Sequence, residues 1–541
     1  MNLTKIIFTI MAVSLIFTSC NKSTELTNAI PADASYVIHV NTKSLVEKSK
    51  YNVFSNETVK QGINMGKALL KEEDKIKLLE NFLKDANSLG LDFKGDCYLY
   101  TNYQLYGVVV SVNDAKKLKE CILKLASLSE GDIKNEGGIF SVSPQSEQIY
   151  AWDSHKLLML VNIAGYKANE IDLSQKAREL LTQGKDKSIN TNKTFAEFIK
   201  EKKDISVFST SGGLSNILDS NNSSYPFDAD VMGSLKKVLA DIDGLSTAMY
   251  TSFEDGEIKM NSKAYYDTPE TEKKYKELAS QMMGTLKGDH LKYVTTDPLF
   301  MVSMNVKSDG IYNYANKVDL LKHVVKELPD SISAEDFEQL AKNFNGDLTF
   351  VLSSIKQEAV SSELAESNGE ESSYKEPKPE FMFFADITDS ANTFAVLKKL
   401  FFNNNEGSFK EVSTNIFYID RDKVYFGMHN NTLFATNMES VYANLSSTTL
   451  TNNYANQIKD KLFVMQGDIQ VAKNVLEAEI RFAAMMGLYS EFGKYSFSTS
   501  AQDFSSEGKI ELTTKNKNSL AIICEHIDKM IADLGSSLLR F

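Results

Sequence analysis

The sequence predicts an α+β protein built as two tandem related copies, each with a mainly antiparallel sheet and helices packed on one face. Three observations predict it. Tyr36, Ile38 and Val40 alternate with Val37, His39 and Asn41, and Phe300, Val302 and Met304 alternate with Met301, Ser303 and Asn305, the period-two pattern of half-buried strands. Apolar runs such as 97–100 and 106–112 follow one another too closely for a helical crossover, so they pair antiparallel. Finally, the same short motifs recur in the same order in both halves of the chain, which marks an internal repeat.

The repeat is read in order. Asp33, Tyr36, Asn41, Lys43 and Ser44 match Asp297, Phe300, Asn305, Lys307 and Ser308. Phe93 and Gly95-Asp96 match Phe344 and Gly346-Asp347, each ahead of an apolar strand. Asp114 and Asp389 stand at the ends of strands, where a helix N-cap belongs. The helices that follow share Lys124-Leu125 and Lys399-Leu400, and then Ile139-Phe140 matches Ile416-Phe417. The strands Ile149–Asn162 match Val424–Asn437, and Gly256–Met260 matches Gly508–Leu512 ahead of a closing helix. The copies are placed at 30–285 and 294–541. Phe93 and Phe344 are 251 residues apart, whereas Asp114 and Asp389 are 275 apart. The difference is the length of residues 357–380, which carry seven Glu, two Lys and two Pro and read as an acidic disordered surface insertion, either solvated or an acidic docking arm. Residues 219–228 read as a second, shorter loop.

At the start, Lys5 precedes an apolar run from Ile6 to Phe17. Twelve residues cannot cross a bilayer that needs roughly 20 helical residues, and the run fits a secretory signal. Phe17-Thr18-Ser19-Cys20 resembles a bacterial lipobox. The resemblance implies residues 1–19 as a lipoprotein signal peptide, cleavage before Cys20, and palmitate-type acylation that anchors the chain to a membrane. Residues 20–29 would be the tether. Asn21 favours the outer membrane, and the absence of an acidic cluster after it favours the periplasmic face over the cell surface.

The net charge of −13 argues against nucleic-acid partners, which need basic patches. No phosphate loop, dinucleotide fingerprint, zinc-protease helix or nucleophile elbow is present, so no catalytic residue, metal ligand or cofactor is assigned. Ser211-Gly212-Gly213 reads as a turn. Of the six histidines, His39 and His155 have Ser303 and Asn430 as repeat partners, which suits solvated positions, and His526 reads as solvated on the last helix. Gly95-Asp96 and Gly346-Asp347 read as turns that start strands. Cys121 and Cys524 lie on apolar helical stripes, the latter with Leu520, Ile523, Ile527 and Ile531. Whether Cys97 and Cys121 pair in an oxidising compartment is left open.

Asp389-Ser390-Ala391 resembles the acceptor of Bacteroidetes envelope O-glycosylation, with Ser390 as the modified residue, and also makes a good helix start. The leader, the opening Ile30-Pro31-Ala32-Asp33-Ala34-Ser35 and the following Val40–Leu45 segment resemble a Bacteroidetes lipoprotein family of unknown function. The resemblance implies a lipid-anchored envelope protein with a non-catalytic binding or scaffolding role and a protein or glycan partner. The alternative is a periplasmic, glycan-directed hydrolase that uses acidic residues dispersed in sequence.

Overall fold

The computed structural model describes residues 26–50, 56, 73–92, 95–126, 128–163, 171–212, 229–328, 332–361, 373–402, 409–447, 449–473 and 483–538. Cys20, the leader and residues 219–228 lie outside the described residues. The chain divides into two compact units: Met1–Ser224 with Ile242–Glu272 and Thr514–Phe541, and Tyr225–Asp241 with Lys273–Thr513.

In the first unit the strands are β1 (Tyr36–Val40), β2 (Cys97–Thr101), β3 (Leu105–Ser111), β4 (Lys134–Glu136), β5 (Ile139–Gln145), β6 (Gln148–Trp152), β7 (Lys156–Asn162), β8 (Ile205–Thr210), β9 (Leu245–Glu254) and β10 (Glu257–Tyr266). They pair antiparallel in the order β4-β5-β6-β7-β3-β2-β1-β8-β9-β10. The second unit has β11 (Phe300–Lys307), β12 (Asn345–Ser361), β13 (Ser373–Asp386), β14 (Phe409–Ser413), β15 (Ile416–Ile419), β16 (Val424–His429), β17 (Thr432–Thr436), β18 (Lys461–Asp468), β19 (Phe492–Ser500) and β20 (Ser506–Leu512). These pair in the order β14-β15-β16-β17-β13-β12-β11-β18-β19-β20. Each of these strands takes the place in its sheet of the strand numbered ten lower. The register agrees as well: Tyr36 faces Thr101 and Val40 faces Cys97, while Phe300 faces Leu352 and Met304 faces Leu348.

The period-two alternation meets apolar cover on both faces of the sheet, not on one face as expected. In the first unit Val37, Tyr98 and Val109 pack with Leu173, Ala177, Phe195 and Phe198. On the other face Val40, Cys97 and Val110 pack with Leu45, Leu118, Cys121 and Ile122. The second unit repeats the arrangement, with Phe384 and Phe434 in one cluster and Ala385 and Leu433 in another. Burying one more CH₂ contributes about 0.8 kcal/mol, so helices with apolar stripes settle wherever a strand face is apolar. Asp114 caps the helix Ala115–Ala126 through the N–H groups of Lys116 and Lys117, at 3.0 and 3.1 Å.

Four further expectations differ from the structure. Leu26 and Ala29 are buried in the first core, so residues 26–29 belong to the fold and not to the tether. The division interleaves the two halves instead of following 30–285 and 294–541. Within the second unit, Asp241 pairs with Lys274 at 3.2 Å and Lys317 at 3.1 Å. Within the first, Gly256 N–H donates to Lys517 O and Asn518 Nδ2 to Phe253 O, both at 2.9 Å. On the helix Ser519–Leu538, Ala521 and Ile522 are buried, whereas Ile527 and Ile531 are 44% and 48% exposed. Finally, residues 357–361 and 373–380 form the outer part of the β12–β13 hairpin, paired from Ser354–Glu380 out to Ser361–Ser373. Lys356 pairs with Glu380 and Lys378 with Glu358. Neighbouring residues Lys356, Gln357 and Glu358 are all exposed, so at these positions neither face of the ribbon is covered. The alternation that reveals a half-buried strand is therefore absent from its sequence. Pro377 and Pro379 carry no N–H, which blunts the β13 edge against further pairing.

Replacing residues 356–378 with a two-residue Asn-Gly turn should leave the denaturant-unfolding free energy of the chain within about 1 kcal/mol. A loss of several kcal/mol would show that the ribbon packs against the body.

Candidate functional site

The second unit holds a polar cleft of about 370 Å³. Its construction starts at Gly346-Asp347. Asp347 is 1% exposed, and a buried carboxylate must be fully hydrogen-bonded. It accepts from Lys287 N–H at 3.0 Å, Gly288 N–H at 2.5 Å and Asn305 Nδ2 at 2.7 Å. Gly288 has φ +76°, a backbone that favours glycine. This turn starts the short 3₁₀ helix Asp289–Tyr293, which carries His290. His290 Nε2 lies 2.9 Å from Asp386 Oδ1, at the end of β13. The other oxygen of Asp386 accepts from Asp347 N–H at 3.0 Å, so the set closes on itself. Gly346 has φ +140°, and a Cβ there would sit 2.5 Å from Asp386 Cβ, so only glycine lets Asp386 lie across this backbone.

The His290 ring stacks on Phe384 at 5.2 Å and 10°, and Phe384 stacks on Tyr293 at 4.9 Å and 15°. Tyr293 Oη donates to Leu445 O at 3.0 Å. Burial pushes the Asp386 carboxyl up. The hydrogen bonds from His290 and Asp347 N–H, with the charges of His290 and Lys287, outweigh it and hold the group below the usual carboxylate range. Lys287, Lys292, Asp289, Asn345 and the run His429–Thr432 complete the polar lining.

The first unit uses its matching Gly95-Asp96 differently. Lys202 Nζ lies 2.8 Å from Asp96 Oδ2, and His39 Nε2 lies 3.1 Å from Oδ1. A Cβ on Gly95 would meet Ser111, the residue matching Asp386. Leu26 stands where the repeat places His290. The His290–Asp386 hydrogen bond of the cleft therefore belongs to the second unit, and the fold is built without it in the first. Sequence reasoning missed His290 and Asp386. The signal available was the paired exchange of Leu26 and Ser111 for a histidine and an aspartate.

His39, expected to be solvated, is fully buried, because the sheet face it occupies is covered. Burial lowers its pKa below the ordinary 6.5, opposed by Asp96. His155 is exposed and His526 half-buried. Cys97 and Cys121 are free thiols in one buried cluster, and burial pushes each up to about 12. Ser390 starts the helix Ser390–Phe402, half-buried, and its Oγ donates to Asn431 Oδ1 at 2.9 Å. Asp389 caps that helix through Asn392 N–H at 3.1 Å.

A second cleft of about 400 Å³ in the same unit lies on the β18–β19–β20 face. Lys494 there pairs with Asp297 at 2.7 Å and Lys509 with Glu511 at 2.6 Å, so much of its charge is neutralised internally. Among the described residues no group of three His, Cys, Asp or Glu side chains is placed to hold a metal ion, and no helix is long and apolar enough to cross a membrane.

Fold and cleft together describe an antiparallel α+β protein of two units with a polar, ligand-sized cleft in the second. The chain belongs to the DUF4836 family, a domain of unknown function whose profile matches residues 26–520. Neither a curated protein nor a solved structure matches the chain.

Gly346→Ala should destabilise the second unit by at least about 1–3 kcal/mol in denaturant unfolding, because both its backbone and its Asp386 contact reject a side chain. An unchanged midpoint would contradict the geometry. A second expectation concerns His39. Its folded pKa is depressed, so the unfolded chain takes up a proton first as pH falls through 6.5 and stability drops in that window. The difference in Tm between wild type and His39→Gln should therefore shrink from pH 7.5 to pH 5. A constant difference would show that His39 does not titrate in this way.

Proposed function

We propose that this is a lipid-anchored envelope protein, held to the outer membrane through acyl chains on Cys20, whose second unit binds a polar ligand without chemical turnover. The observation that carries the binding reading is the His290–Asp386 pair at the wall of the cleft, locked from beneath by Asp347 and exchanged for Leu26 and Ser111 in the first unit. The glycan-directed hydrolase reading needs a carboxylic acid raised towards neutrality to protonate a leaving group. Asp386 is held in the opposite direction, and both of its oxygens are engaged. It acts as an orienting acceptor for His290. The lipobox-like end of the leader supports the anchor, and the family resemblance of the opening residues supports the envelope address. Ser390, at a helix start, remains the candidate for O-glycosylation.

In growing cells, labelled palmitate should enter the protein and be lost in Cys20→Ala, which should also leave the membrane fraction. Equal membrane association of the variant would overturn the anchor. A purified soluble form should show no saturable turnover of glycans, esters or peptides. Turnover abolished by Asp386→Asn would overturn the binding reading in favour of a hydrolase.

A further inference from the structure

The cleft of the second unit also indicates what it binds. Lys287 is exposed and Lys292 half-buried at its rim, and neither forms an ion pair among the described residues. Lys292 instead lies over the Tyr293 ring, 5.1 Å from its centre. Lys494 and Lys509 of the second cleft, by contrast, each have a carboxylate beside them. Two lysines without ion pairs among the described residues, brought to one small cavity, offer charge-assisted donors to an anion. The acidic groups present do not take them up. Asp386 is taken up by His290 and Asp347 N–H, and Asp289 is exposed.

The remaining lining is neutral and hydrogen-bonding. Asp386 engages His290 Nε2, and among the described residues Nδ1 has no hydrogen-bond partner. Asn430 and Asn431, at φ +47° and +57°, form the β16–β17 turn beside Thr432. The aromatic rings cannot serve as a stacking platform, because Phe384 and Tyr293 are 1% and 8% exposed. Trp152, the chain's single tryptophan, is fully buried in the first core. A volume of about 370 Å³ lies at the small end for a ligand site.

We propose that this cleft takes an anionic saccharide of one or two rings. Lys287 and Lys292 meet its carboxylate or phosphate, and His290 Nδ1 and the Asn430–Thr432 turn meet its hydroxyl groups. The inference rests on the binding reading above and adds charge as the basis of selection.

The test is lysine footprinting of the whole soluble chain by amine acetylation, read residue by residue in a mass spectrometer. The probes are glucuronate, glucose 6-phosphate and glucose, with Lys116 and Lys117, exposed on the helix Ala115–Ala126, as reference. Either charged sugar should slow acetylation of Lys287 and Lys292 at least threefold, leaving the reference lysines unchanged, whereas glucose at equal concentration should not. Lys287→Gln with Lys292→Gln should weaken binding of the charged sugar, followed by calorimetry, about tenfold or more. Both positions are outside the core, so the variant's Tm should match wild type. His290→Leu, which installs the residue found at the matching place in the first unit, should abolish the protection. Equal protection by glucose would overturn the charge selection while leaving the binding reading in place. Protection by none of the three sugars would overturn the saccharide assignment, and the binding reading would then be judged on the palmitate and turnover experiments alone.

Discussion

A buried carboxylate sets the terms for the second unit. Asp347 is almost wholly removed from water, and an ionised group in that position is tolerated only when its oxygens are fully engaged. Two of its donors are consecutive backbone N–H groups, those of Lys287 and Gly288. Accepting from both fixes the direction in which the chain leaves that turn. The turn aims the short helix behind it, the helix places His290, and His290 finds Asp386. Asp386 then accepts from the N–H of Asp347 itself. No member of this ring is free to move without leaving another buried polar group unpaired, at a cost of about 1–3 kcal/mol each. The wall of the cleft is rigid for that reason.

The first unit meets the same structural demand with other chemistry. Asp96 follows the matching glycine immediately ahead of β2, yet it is held by the Lys202 ammonium and the His39 ring. Lys202 also lies over the Tyr98 ring, 5.7 Å from its centre. At the register position of His39 the second unit has Ser303, whose Oγ lies 2.8 Å from Thr349 Oγ1. One solution uses opposite charge drawn from distant sequence, the other uses neutral backbone and amide donors. A strand-starting Gly-Asp turn is compatible with both, which is why its presence in each half does not by itself mark a site.

What could be read in the sequence was local. Strand alternation, Asp caps and Gly-Asp turns act over two to four residues, and all are visible where the structure places β1, β11 and the helices after Asp114 and Asp389. Their common order anticipates the matching strand orders of the two sheets. What could not be read depended on remote partners. His39 looks like a solvated strand residue until the second layer of cover is known. Residues 357–361 and 373–380 look shapeless because a two-stranded ribbon exposed on both sides imposes no period on its side chains. His290 and Asp386 are nearly a hundred residues apart, and each is unremarkable alone. Only a residue-by-residue comparison of the halves, with Leu26 and Ser111 in view, would have paired them.

Rigid wall and exposed rim also differ in how freely they can change. Asp347, Gly346, Asp386 and His290 are locked to one another by burial, so a substitution at one disturbs the rest. Lys287 and Lys292 stand in or near solvent without ion pairs among the described residues, and exposed charges of that kind contribute little to stability. In the binding role proposed above, these two lysines would read the ligand, while the locked set beneath them would hold the shape that the ligand must fit. Lys494 and Lys509 of the second cleft show the other arrangement on the same unit: each is spent on a carboxylate beside it, which leaves less of their charge for a partner from outside.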